Sequence, residues 1–366
     1  MIRLSKSIIG KDEIKAVNEV LKNEFLGMGT EVHKFEDELS SFIGRETVCV
    51  NSGTAAVQLA LQAVGIGVGD EVLVQSLTYL ATFQAISALG AIPVPCEVYE
   101  KNFTINLEDA QSKISTKTKA IIPVHYASNV GNLDEIYLFA KKNKLRVVED
   151  AAHAFGTIYK GKLVGSFGDV ACFSFDGIKN ITSGEGGAVS SSDKEVIQRI
   201  KNLRLLGVEN DSDKRYLNER SWDFNVVEQG WRFHMSNIMA AIGRTQLKQF
   251  DLFKLKRQLL AKHYVERLNK IEGLKIFDFN YNEIIPHIFV VRILTGHRDN
   301  IKEKLLSEDI QTGIHYKPNH MLDYYKSNYK LPLTEKFYSE ILTLPLHPDL
   351  SIKDVDLVCD SLISKL

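Results

Sequence analysis

The chain has 366 residues and a formal net charge of −1, with 44% hydrophobic and 25% charged residues. That balance excludes a disordered chain, and with no basic surplus to hold a phosphate backbone, nucleic acid is not an expected partner. The length suits one large domain plus a smaller one. The four cysteines, Cys49, Cys96, Cys172 and Cys359, lie far apart in no metal-ligand spacing, so a reducing compartment fits. The charged N-terminus lacks the apolar core of a signal peptide, and no apolar run is long enough to span a bilayer. The expected location is the cytoplasm, with no metal and no membrane partner.

In chain order, short β-branched runs recur: "TVCVN" (47–51), "EVLVQ" (71–75), "AIPVPCEV" (91–98), "KAIIPVHY" (119–126), "LRVVED" (145–150), "DVACFSF" (169–175) and "GAVSS" (187–191). The first five alternate with apolar-periodic segments such as "GTAAVQLALQAVG" and "LDEIYLFAKKNK". This is the pattern of an α/β fold with a mostly parallel sheet covered by helices on both faces. Residues 207–223, "GVENDSDKRYLNERSWD", read as a polar exposed loop. From Met235 the texture becomes one long helix or a pair, and beyond about Phe250 the segments "HIFVVRIL", "IQTGIHY" and "IKDVDLVCDSLISKL" suggest a small α+β domain. The expected division is 1–249 and 250–366.

Ligands of open α/β sheets bind at the carboxyl ends of the strands, so the residues after each strand matter most. After the first comes "NSGTAAVQLAL", where Gly53 and Thr54 open a helix whose N–H groups suit a phosphate; a plain N-cap would use the same residues. After the second comes Tyr79, able to stack on a flat ligand or simply to pack. After the fifth, alternation sends Glu149 and Asp150 to opposite faces, so one carboxylate enters the site and needs a cation to answer it. His153, three residues on, could hydrogen-bond the same ligand or serve as a structural hydrogen-bonder. Ser174 ends the sixth strand, and Lys179 stands between that strand and "SGEGG". A free lysine titrates near ~10.4, so a nucleophilic one needs desolvation or a neighbouring cation, and this placement offers desolvation. Together these groups ask for pyridoxal 5'-phosphate, whose aldehyde condenses with a lysine and whose ring nitrogen takes an acidic partner.

The blocks "GMGTEVHKFEDELSSFIG", "VNSGTAAVQLALQAVGIGVGDEVLVQSLTYLATFQAI", "VVEDAAHAFGT", "SFDGIKNITSGEGGAV", "MSNIMAAIGRTQL" and "LTLPLHPDLS" resemble, in order, the DegT/DnrJ/EryC1/StrS family of pyridoxal-phosphate-dependent sugar aminotransferases. The resemblance implies a fold type I architecture with a seven-stranded, mostly parallel sheet, a small C-terminal domain, and a homodimer with shared active sites. By motif it makes Lys179 the cofactor-binding lysine and Asp150 the partner of the ring nitrogen. It sets His153 near the phenolic oxygen, Tyr79 on the ring, and Gly53, Thr54 and Ser174 on the phosphate. Where relatives carry "GxNxRMS", whose Asn enters the neighbouring subunit's site, this chain has "GWRFHMS", with Arg232 at the Asn position and His234 at the Arg position. In "GIHYKPNH", His315, Tyr316 and His320 are candidate substrate residues or else simply hold the small domain together, with His287 in "PHIFVVRI" a weaker candidate. The implied reaction moves an amino group from L-glutamate to a ketosugar, nucleotide-linked by expectation. The alternatives are a free keto acid sugar such as an oxidised octulosonate, or a cofactor-binding regulator without turnover.

Overall fold

A computed structural model describes residues 1–220 and 222–366. Its large sheet has seven strands: β1 (Thr47–Val50), β2 (Glu71–Gln75), β3 (Ile92–Cys96), β4 (Thr118–Ile122), β5 (Arg146–Asp150), β8 (Val170–Ser174) and β9 (Gly187–Ser191). Two further strands, β6 (Ile158–Tyr159) and β7 (Lys162–Leu163), form a separate hairpin the sequence did not signal. The sheet order is β1-β9-β8-β5-β4-β2-β3, and every pairing is parallel except the two made by β9. All seven expected runs are therefore strands of one sheet.

Successive side chains serve opposite cores. Val72 and Val74 join Val57, Leu59 and Phe83 on one face, while Leu73 joins Phe35, Phe155 and Phe173 on the other. Each such side chain contributes roughly 1.5–3 kcal/mol of burial, so neither face can be stripped of its helices. The alternation also decides the fate of the two acids ending β5, as the site shows.

The segment after Met235 is a pair of helices, Asn237–Lys248 and Phe250–Leu268, broken at Gln249. The second packs onto an antiparallel sheet of β10 (Leu274–Ile276), β11 (Phe289–Ile293) and β12 (Ile341–Leu344), with the closing helix Ile352–Ile363. The first residues of the chain run alongside this smaller sheet. Ile2 bridges Ile310, and the Leu346 N–H donates to the Leu4 carbonyl.

Residues 207–223 are not wholly an exposed loop. The helix Asp211–Tyr216 lies there, and Tyr216 is buried with its hydroxyl donating to Glu36. Arg204, fully buried, bonds to Glu36, Tyr216 and the Cys49 carbonyl. That polar network ties the segment to the sheet, something polar composition alone could not reveal. Among the described residues, no helix is long and apolar enough to cross a membrane, and no cluster of metal-ligating side chains occurs.

Candidate active site

The carboxyl ends of β1, β5 and β8 open into a cavity of about 440 Å³, the size range of small-molecule sites. It is lined by Gly53, Thr54, Tyr79, Asp150, His153, Ser174, Lys179, His315 and Tyr316 among others.

At one end, Ser52 caps the helix Gly53–Ala63 by accepting from the Ala55 N–H at 3.1 Å. The helix's own bonds begin with the Ala56 N–H on the Ser52 carbonyl, which leaves the Gly53 and Thr54 N–H groups at its open end. The cap and the anion site, alternatives in the sequence, thus coexist. Gly53 is required by close packing: a Cβ there would stand 2.8 Å from Ser174 Cβ and 3.1 Å from Ser174 Oγ. The same approach sets the Ser174 hydroxyl beside the helix N-terminus, where a phosphate would meet both.

At the floor, Asp150 is 6% exposed. The Thr82 hydroxyl donates to its Oδ2 at 2.7 Å and the Ala152 N–H to its Oδ1 at 3.2 Å. Neither partner carries charge. Glu149 points to the opposite face, bonded to the Tyr137 hydroxyl and to His125 at 2.8 Å. Thr82 was not singled out from the sequence, although its place three residues after Tyr79 at a helix start sets both on one face.

Lys179 lies on the wall, its Nζ 3.5 Å from His287 Nε2. Loss of hydration pulls its amine down to about 8, against the opposing pull of Asp176 and Asp150. His153 receives the Tyr316 hydroxyl contact at Nε2, 3.0 Å away, and its ring lies 4.5 Å from that of His287. Burial, then the Lys179 charge, pushes both imidazoles well below their ordinary range. His315, held by Thr343 at 2.8 Å, is pushed down to about 4, again by burial first and Lys179 second. Each ring is thereby biased toward its neutral, hydrogen-bonding form. Tyr79 stands at the mouth, 60% exposed, its ring 5.5 Å from that of Tyr316.

Two expected residues lie elsewhere. His320 is not on the cavity wall: its ring bonds Ser76 Oγ at 2.7 Å and Glu335 at 3.1 Å, so both nitrogens are spent pinning the 318–322 segment to the end of β2. Arg232 is exposed and lines a separate recess of about 90 Å³ with Asp211, Arg215, Phe224 and His234. One chain does not bring it to Lys179.

The donor set fits a pyridoxal phosphate. The glycine-made cradle suits its phosphate, the uncharged partners of Asp150 leave that carboxylate free for a protonated ring nitrogen, and Lys179 is the cation among the lining residues. Fold and site together define a fold type I aminotransferase that uses this cofactor. Residues 7–363 match the family model described as the DegT/DnrJ/EryC1/StrS aminotransferase family. The chain is 34% identical to the spore coat polysaccharide biosynthesis protein SpsC of Bacillus subtilis, over 98% of this chain and 95% of that protein. Its fold matches the aminotransferase TlmJ of Streptoalloteichus hindustanus with a TM-score of 0.92 at 29% identity, covering 100% and 98% of the two chains. It also matches Bacillus subtilis NtdA, solved with bound cofactor PMP, at a TM-score of 0.87 and 27% identity, covering 98% and 83%. The chain therefore belongs to the DegT/DnrJ/EryC1/StrS family of pyridoxal-phosphate-dependent sugar aminotransferases.

Proposed function

We propose that this aminotransferase moves an amino group from L-glutamate to a nucleotide-linked keto-deoxysugar, in the cytoplasm, for surface polysaccharide or a related glycan. The observation that carries the reading is the cavity itself, where one partly desolvated amine, a buried carboxylate without a cationic partner and a glycine-made cradle meet. The likeness to a spore coat polysaccharide biosynthesis protein supports the glycan setting.

The cofactor, when bound, supplies an aldehyde that accepts the donor's nitrogen and a ring that spreads negative charge from the substrate carbon. In this reading Lys179 would bind that aldehyde, and its amine would hold and return the proton at the substrate carbon as base and then as acid. An amine pulled down to about 8 is partly neutral near physiological pH, as a base must be. Asp150, held by Thr82, keeps the ring nitrogen protonated. Gly53, Thr54 and Ser174 would hold the phosphate, Tyr79 would stack on the ring, and His153 would hydrogen-bond the phenolic oxygen. His315 and Tyr316 form the substrate wall; His320 is not part of it.

Arg232 enters this reading through a second copy of the chain. It lies on an exposed segment flanked by Leu217, Trp222, Phe224 and Val227, apolar surface that a homodimer would cover. Three carboxylates, Asp150, Asp176 and Glu185, line the cavity, and an arginine from a second copy would supply a cation for an anionic substrate.

Two measurements test the reading. Lys179→Ala should abolish turnover while the protein stays folded; full transaminase activity in that variant would refute the assignment. A panel of nucleotide-linked and free ketosugars with L-glutamate, read by mass spectrometry, should show a mass change of ketone to amine on a nucleotide-linked member. Amination of free keto acid sugars alone would overturn the nucleotide-linked substrate.

A further inference from the structure

Arg257, on the helix Phe250–Leu268, is 2% exposed, yet its guanidinium meets main-chain carbonyls and no carboxylate within the described contacts. Nη1 donates to the carbonyls of Pro286, His287 and Leu346 at 3.2–3.4 Å, and Nη2 to those of Ile178 and Lys179 at 3.4 Å. A buried cation without an anionic partner costs several kcal/mol of hydration, so its retention asks for a reason. Its contacts supply one: a single side chain bridges the lysine loop of the large unit and the strand entry of the small unit. On that strand entry, His287 turns its Nε2 toward Lys179 Nζ. The His287 N–H donates to Ser128 Oγ at 3.1 Å, and that hydroxyl in turn donates to the His153 carbonyl, which fixes the ring's base.

We propose that Arg257 is a positioning residue that fastens the small unit to the lysine loop, and that His287, held by it, is a further catalytic residue that accepts a hydrogen bond from the Lys179 amine. His287 thereby aims that amine, while the Arg257 charge disfavours its protonated form. The groups facing Lys179 or sharing its cavity are Asp176 on its own loop, Glu185 before β9, Asp150 from β5, His153 beyond β5, His287 before β11, His315 and Tyr316 from the small unit, and Arg257 behind. Arg257 is the one other basic side chain in that set, its guanidinium pulled down to about 10 by burial and so still charged where the Lys179 amine titrates. It also has no acid to quench it, so its field reaches the amine.

The inference rests on Lys179 being the reacting amine, and its test is independent of turnover. Full-length protein stripped of cofactor is treated with trace acetic anhydride across pH 6–10, and acetylation of the Lys179 peptide is followed by mass spectrometry. The wild-type midpoint should lie at about 8. Arg257→Met should move it up by about 0.5–1 unit, while Arg257→Lys, which keeps the charge, should return it to the wild-type value. His287→Phe keeps the ring and its exclusion of water but removes the acceptor for the ammonium, so the midpoint should fall by about half a unit. Opposite displacements support the proposal; a midpoint unchanged in either variant that melts cooperatively overturns it. Should Arg257→Met not fold, the His287→Phe displacement decides. A failure of Lys179→Ala to lose turnover would strike the reading of Lys179, whereas unmoved midpoints strike only this device.

Discussion

Substituting Gly53 with Ala isolates the cradle. The added Cβ would stand 2.8 Å from Ser174 Cβ, 3.1 Å from Ser174 Oγ and 3.4 Å from Ser174 Cα, so the obstruction is a strand residue and its main chain. Overpacking of this kind costs about 1–3 kcal/mol. At roughly 2 cal/mol/K of unfolding entropy per residue, a chain of 366 residues loses about 1–4 °C of Tm for that cost. The relief is also specific. Ser174→Gly removes the obstructing Cβ and should restore most of the melting temperature in the double variant, whereas Ser174→Ala keeps the Cβ and should restore none. Cofactor affinity should separate from stability: Gly53→Ala and Ser174→Gly both disturb the phosphate end, so the double variant regains Tm while pyridoxal phosphate binds at least about 10-fold more weakly than to wild type, a loss of ~1.4 kcal/mol. Differential scanning fluorimetry without cofactor and a fluorescence titration with it measure the two quantities. A Gly53→Ala protein with unchanged Tm and unchanged affinity, or a double variant no more stable than Gly53→Ala, would refute the reasoning.

Two other outcomes follow from the site. The Lys179 amine, lowered to about 8, makes folding costly below that pH, and the cost fades as pH rises through 8 toward the unfolded value of ~10.4. Lys179→Met should therefore raise the Tm of the cofactor-free protein at pH 7, by about 1–3 kcal/mol of stability, with the gain vanishing near pH 10.5; an equal gain at both pH values would point to packing alone. Thr82→Val removes, at nearly constant shape, the hydroxyl that donates to Asp150 at 2.7 Å. A hydrogen bond to a charged group is worth about 1.5–3 kcal/mol, so kcat/KM should fall at least 10-fold and recover in Thr82→Ser, while wild-type kcat/KM in the valine variant would discount the contact.

Much of this molecule follows from local rules. Seven β-branched runs, the first five with helices between them, outline the large sheet, since strands buried on both faces are apolar throughout. Period two along β5 separates Glu149 from Asp150 before any tertiary contact is known, and the helix start at Gly53 offers free N–H groups wherever it lies. What local pattern leaves open is which groups answer one another between separate elements of the chain. Glu149 meets His125 and Tyr137, Asp150 meets Thr82, and the polar-looking 207–223 segment sends Tyr216 inward to Arg204 and Glu36. His320 resembled a substrate residue in sequence, and only the approach of Ser76 and Glu335 occupies both its nitrogens. Arg257 carries no signal at all among the basic residues of its helix, because its partners are carbonyls from three distant stretches. Periodicity is set by each chain segment's own geometry, so the strands of the sheet and the chemical character of the residues that follow them are legible from sequence. Partner choice depends on distances fixed only when the two units close, so the tertiary structure decided which of the candidates face Lys179.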